Sequence, residues 1–199
     1  MARAGLTPQI VTAHALAVLD EAGPAGLTLK AVAERAGVAA PSLYKHVRSL
    51  DDLRLLMTVQ VLNEAADRIG AGVMGLAGDD ALRAFLREYR SYADEFPYRH
   101  SLLESPPVGG EETDPAVAAA VGRLLGTAHA AVRGYGLDGD ELVHAVRALR
   151  VVVVGFVSLE QGTGYQLPTP LDASFDFLTD LLTAGLGRLA ARSGSAVGG

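Results

Sequence analysis

The sequence has no cysteine and only two lysines, Lys30 and Lys45, among its 199 residues. Without thiols there are no disulfides and no thiolate metal sites, so nothing suggests an oxidising compartment and the expected setting is the cytoplasm. No run of about eighteen apolar residues escapes interruption by charge or glycine, and the nearest stretch, Val151 to Leu159, is too short to span a bilayer. A soluble protein with no membrane partner is the expectation. The first twenty residues, MARAGLTPQIVTAHALAVLD, also lack the basic end, apolar stretch and small-residue cleavage site of a secretory signal.

Strand signals are nearly missing too. Apolar residues recur at spacings of three and four, and Gly or Pro clusters punctuate the pattern, which reads as all-α with about nine helices. Thr7-Pro8 is an N-cap followed by proline, opening a helix from Pro8 to about Ala22. Thr28 caps a short second helix, Leu29 to Ala36, and Gly37 supplies its left-handed stop. Pro41 fronts a third short helix ending near His46-Val47. Asp51-Asp52 place negative charge at the front of a fourth, Asp52 to Ile69.

Beyond it, the glycines of Gly70 to Gly78 predict a loop, Asp79-Asp80 a helix to Glu95, and Tyr98 to Leu103 a short one. Glu104 to Pro115, rich in Pro, Gly and acids, reads as a mobile surface loop. Helices follow over Ala116 to Gly134, from Asp138 or Asp140 to Gln161, and from Asp172 to Ala191. The loop GTGYQLPTP separates the last two, and SGSAVGG is expected to fray.

Catalytic constellations are absent as well. No glycine-rich phosphate loop follows a strand, no HExxH occurs, and His100, His129 and His144 lack ligand spacing, so neither an enzyme, a metal nor a cofactor is expected.

What is present is an uneven charge. Residues 1–50 hold Arg3, Lys30, Arg35, Lys45 and Arg48 against Asp20, Glu21 and Glu34, whereas the chain as a whole has net charge −6. An acidic body with a mildly basic amino end suits a module that touches a polyanion. Two short helices joined at Gly37 and followed by a long one outline a helix-turn-helix. Val32, Ala33, Ala36, Val38, Leu43 and Val47 can form the small core that fixes the angle between them. Ala40, Pro41, Ser42, Tyr44 and Lys45 are left at the front of the reading helix, with Lys30 facing the same groove.

The stretch GLTLKAVAERAGVAAPSLYKHVRSLDDL, with AGV, LYKHV and a DDL helix start, resembles the amino-terminal DNA-binding domain of the TetR family of bacterial transcriptional repressors over about residues 8–60. The resemblance implies DNA-backbone contacts from Tyr44 and His46, and approach to bases by Lys30, Ala40, Pro41 and Ser42. Thr28, Lys45 and Arg48 complete the expected DNA-binding set. Two positions depart from the family's pattern. Ala39 stands where Ser or Thr usually caps the reading helix, a loss of about 1 kcal/mol. Leu50 stands where a phosphate-contacting lysine is usual, and Arg48 is the candidate replacement.

The resemblance further implies two domains: a reading head over 1–50, and a ligand-binding and dimerisation body over 51–199. In the body, Tyr89, Tyr92, Phe96, His100, His129, Arg147 and Val151 are the candidate ligand contacts, because an apolar lining with a few polar groups is what a pocket between helices needs. The last two helices are the candidate dimer surface, through Phe156, Phe175, Leu178, Leu182 and Leu186. GFVSLEQGTGY resembles the close of the penultimate helix in one subgroup of TetR-like regulators. A two-fold dimer places two reading helices about one DNA turn apart, as a palindromic operator demands.

The expected function is thus a homodimeric, DNA-binding repressor released from double-stranded operator DNA by a small-molecule effector. Two alternatives stand beside it. One is a small-molecule enzyme or carrier whose amino-terminal bundle is only structural. The other is a nucleoid-type binder without sequence preference, which the acidic body disfavours.

Overall fold

The computed structural model describes residues 5–104, 114–162 and 164–196. Among them nine α-helices and no strand are present: α1 (Pro8–Gly26), α2 (Leu29–Ala36), α3 (Ala40–Leu43), α4 (Leu50–Val73), α5 (Gly78–Glu95), α6 (Pro97–Glu104), α7 (Pro115–Val132), α8 (Gly139–Gln161) and α9 (Leu171–Ala196). A single 3-10 turn, Arg133–Tyr135, follows α7. The all-helical expectation holds.

The chain forms two compact units that do not follow its order: residues 1–64 with 96–121, and residues 65–95 with 122–199. In the first, α1 packs on α2 and on α6, and α2 packs on α3. Its core is built from Val11, Leu16, Val32, Leu43, Leu53 and Met57, all fully buried. In the second, α5 packs against α8 and α9, with Leu82, Leu86, Leu149 and Val153 inside.

Several helix ends differ from expectation, each for a local reason. Helix α1 starts as expected, with the Thr7 hydroxyl accepting from the Ile10 amide at 3.3 Å. It continues past Ala22 because Gly23 kinks it at φ +68° and Pro24 restarts the helical path, a place where proline needs no donor. Helix α3 is shorter than expected: it closes at Leu43, and residues 44–46 form a tight turn in which the Val47 amide still donates to Leu43 O at 3.0 Å.

Helix α4 runs through Gly70 and Gly72, not stopping at Ile69. These glycines are close-approach points, not breakers. A Cβ on Gly72 would lie 2.4 Å from Glu88 Cγ, and one on Gly70 would lie 3.5 Å from Thr127. The turn comes later, at Gly75 and Gly78, both with positive φ. Helix α9 extends five residues beyond Ala191, so the backbone of the segment expected to fray is helical to Ala196. Most of the loop expected over Glu104 to Pro115 lies outside the described residues; Glu104 itself closes α6 and Pro115 opens α7.

One expectation about hydropathy needs correction. Residues Pro115–Tyr135 and Gly139–Gln161 are each long and apolar enough, by length and composition only, to cross a membrane, their most apolar 18-residue windows having mean hydropathy 1.2 and 1.9. The limit placed at Val151 to Leu159 was too narrow, because the helix tolerates isolated arginines within an apolar stretch.

Candidate nucleic-acid interface

The reading head is organised by which residues its core takes. Val32, Ala33, Leu43 and Val47 are buried, while Ala36 and Val38 are half-buried. Leu43 and Val47, one turn apart, anchor α3 and the following turn in the core. The residues between them face outward: Tyr44 is 59% exposed, Lys45 is exposed, and His46 is half-buried.

The hinge between α2 and α3 has the geometry that the sequence implies. Gly37 is left-handed at φ +66°, its amide donating to Glu34 O at 3.1 Å, and the Val38 amide reaches back to Ala33 O at 3.1 Å. Thr28 caps α2, its Oγ1 accepting from the Ala31 amide at 3.1 Å. Ala39 occupies the N-cap of α3 with no side-chain bond, as its departure from the family's pattern implies. The first turn of α3 is held only by backbone, Ser42 N to Ala39 O at 2.8 Å.

Ala40 and Ser42 are half-buried and Pro41 is exposed. Lys30 extends into solvent beside Glu34 at 3.8 Å, a loose surface pair of little energetic weight. Its charge is therefore available to a phosphate.

Arg48 is less available than expected. Its guanidinium lies 2.7 Å from Asp52 Oδ1, and its amide donates to Asp52 Oδ2 at 2.9 Å. Asp52 in turn donates its own amide to Ser49 Oγ at 3.0 Å, so Ser49 caps the first turn of α4 while the Asp52 carboxylate reaches back one residue further, to the Arg48 amide. The side-chain and backbone hydrogen bonds from Arg48 hold the Asp52 carboxyl below its ordinary range. The sequence signal for this cap is Ser49-x-x-Asp52, whereas Asp51-Asp52 by itself signals only negative charge near a helix start.

The expected ligand residues are divided between the two units. Tyr89 and Tyr92 are buried in the second unit. Phe96 and His100 belong to the first unit, His100 buried with its Nδ1 3.7 Å from Glu104. His129 is exposed and lines a shallow groove of about 410 Å³ with Arg133, Leu137 and Leu142. Arg147 is exposed and Val151 is 72% exposed, both on the outer face of α8. Among the described residues, no group of three His, Asp or Glu is placed to hold a metal ion.

The expected dimer stripe turns inward. Phe156, Phe175 and Leu186 are buried, and Leu178 and Leu182 are half-buried. The Phe156 and Phe175 rings meet edge to face at 4.9 Å, and the Arg90 guanidinium lies over both. Arg90 donates to Glu160 at 2.9 Å and pairs with Asp172 at 2.8 Å, which keeps it charged above its ordinary range. The outward apolar residues are others: Phe177 at 71% exposure, Leu181 at 61%, with Val151 and Leu159 on α8. Helix α9 carries apolar residues on two faces, and spacing alone does not say which face its own chain covers.

The geometry agrees with the comparisons with known proteins. Residues 11–56 match the family model "Bacterial regulatory proteins, tetR family", and residues 82–182 match "Tetracyclin repressor-like, C-terminal domain". An uncharacterized HTH-type transcriptional regulator of Mycobacterium tuberculosis is 35% identical over 97% of this chain and 87% of its own length. A protein of unknown function from Rhodococcus sp. RHA1 shares the fold, with TM-score 0.78 at 17% identity over 93% of this chain and 97% of the other. A TetR variant from Acinetobacter baumannii, solved in complex with minocycline, superposes with TM-score 0.68 at 26% identity, covering 94% and 99%. With a reading head of this geometry in residues 11–56 and a relative that matches along nearly all of its length, the chain belongs to the TetR family and is a DNA-binding transcriptional regulator.

Proposed function

We propose that the protein is a repressor that binds a palindromic operator as a homodimer and leaves it when a small molecule enters its body. The observation that carries this reading is the exposed set Lys30, Tyr44 and Lys45 displayed over the buried pair Leu43 and Val47. Tyr44, Lys45 and His46 offer donors to phosphate, while Ala40, Pro41 and Ser42 at the front of α3 approach base edges. Thr28 and Lys30 flank them from α2. Arg48 joins only by leaving Asp52.

Functionally, residues 1–50 act as the reading head and 51–199 as the sensing and dimerising body. The dimer is assigned to the outward apolar faces of α8 and α9, through Val151, Leu159, Phe177 and Leu181, with Ala184 and Gly185 permitting close helix approach. Phe156, Phe175 and Leu186 support that face from behind. The effector is assigned to the apolar interior of the body around Tyr89 and Tyr92. It acts only if it binds one arrangement of the two heads better than the other. The protein works in the cytoplasm, with no catalytic role and no cofactor.

The test is replacement of Tyr44 and Lys45 by alanine. The regulator reading expects loss of operator binding with fold, dimer and effector affinity kept. Unchanged DNA binding in that variant contradicts it and favours a body whose amino-terminal bundle is only structural.

A further inference from the structure

Three helices of the first unit, α1, α4 and α6, meet at one side chain. Arg99, in α6, is only 13% exposed at its side chain. Its Nε donates to both carboxylate oxygens of Asp20 in α1, at 2.9 and 3.2 Å, and a terminal nitrogen donates to Asp20 at 2.6 Å. The other terminal nitrogen donates to Glu64 of α4 at 2.7 Å. The guanidinium plane lies 4.2 Å from the centre of the Phe96 ring. The second oxygen of Glu64 accepts from Gln60 at 2.8 Å, so that carboxylate is held from both sides.

The contact continues into the helix-turn-helix. Glu21, the neighbour of Asp20, pairs with Arg35 of α2 at 2.5 Å. Beside Arg99, the Tyr98 ring packs on the kink of α1, where a Cβ on Gly23 would sit 3.3 Å from it. Thus α6 grips α1 through two consecutive residues, and α1 hands the constraint to α2.

On this basis, and resting on the operator-reading function above, we infer that Arg99 is a positioning residue for DNA recognition: it sets the angle of the reading head against α4. Stability alone does not require such a group. A buried ion pair is often matched by apolar packing of the same volume, whereas the planar fork of arginine adds direction. Here one fork faces two carboxylates on two helices. Removing its charge leaves Asp20 and Glu64 facing each other, and their repulsion drives α1 away from α4. Lysine keeps the charge but cannot satisfy both carboxylates along fixed directions.

The experiment uses the full-length dimer and a duplex selected by the wild type from a random DNA pool, with variants carrying one base pair more or fewer between half-sites, and a duplex with a single half-site. For Arg99→Gln, affinity for the selected duplex falls roughly tenfold, the preference among spacings flattens, and affinity for the single half-site is unchanged. Arg99→Lys shows the same pattern more weakly and covers the case in which the glutamine variant does not fold. An unchanged spacing profile in both variants overturns the inference. So does an equal loss on all duplexes accompanied by a lower melting temperature, which marks a merely structural arginine. If the wild type itself selects no sequence, the operator-reading function fails first, and the inference falls with it.

Discussion

Asp52 holds Arg48 by two bonds, accepting from its amide at 2.9 Å and its guanidinium at 2.7 Å. The junction between reading head and α4 is therefore a folded cap that occupies the cation best placed to stand in for the lysine missing at Leu50. Because Arg48 depresses the Asp52 carboxyl, the contribution of this pair is present above the ordinary carboxylate value of 3.8 and is lost as pH falls through the lower folded value. Asp52→Asn lowers the melting temperature by roughly 1–2 °C at pH 7. The difference from wild type shrinks at pH 3, which thermal unfolding at the two pH values checks.

Phosphate contacts show themselves through salt. Replacing Lys45 by alanine reduces the slope of log affinity against log salt by about one, and Lys30→Ala acts likewise. Arg48→Ala leaves the slope unchanged if the arginine stays with Asp52 on the operator, and lowers it if it transfers to phosphate. Fluorescence anisotropy over a salt series separates these.

The two apolar faces of α9 predict opposite phenotypes. Phe177→Glu, on the exposed face, yields a folded monomer in sedimentation and abolishes tight operator binding, since one head alone binds weakly. Phe175→Ala removes a buried ring beneath Arg90 and costs about 3–5 kcal/mol of stability. Dimerisation and unfolding thus report on side chains two residues apart.

Gly134 and Gly78 touch through their backbones. A Cβ on Gly134 would come within 2.2 Å of Gly78 N, and backbone cannot step aside as a side chain can. Gly134→Ala costs about 1–3 kcal/mol. Urea unfolding with an unchanged m-value is the check.

Tyr135, next in sequence, is buried and donates to Asp79 at 2.6 Å. Burial, first, and the Asp79 carboxylate raise its hydroxyl well above the ordinary value of 10.0. The folded state then keeps a proton that the unfolded chain releases, so the stability associated with this group falls as pH rises past 10. Tyr135→Phe costs about 1 kcal/mol at neutral pH. The gap to wild type narrows in alkaline unfolding.

The head was legible in the sequence because its signals are local. Thr28, Gly37 and Pro41 are caps and turns acting within a few residues, and LYKHV places Leu43 and Val47 inward with Tyr44 and Lys45 outward by helical spacing alone. The body was legible in its helices but not in their contacts. Arg90 and Glu160 lie 70 positions apart, and Arg99 meets Asp20 across 79; no periodicity announces such pairs. The glycines of α4 look like a break because sequence shows a missing Cβ, not the neighbour that occupies its place, Glu88 at Gly72 and Thr127 at Gly70. The stripe Phe175, Leu178, Leu182, Leu186 was sound as amphipathicity, yet the opposite stripe of Phe177 and Leu181 is the uncovered one.

If two reading heads of this form bind DNA as one symmetric unit, selection of bound duplexes from a random pool enriches an inverted repeat whose half-sites lie about one helical turn apart, and the enrichment is lost when Tyr44 and Lys45 are alanine. Recovery of no shared sequence, or of an isolated half-site bound as tightly as the pair, would contradict symmetric binding.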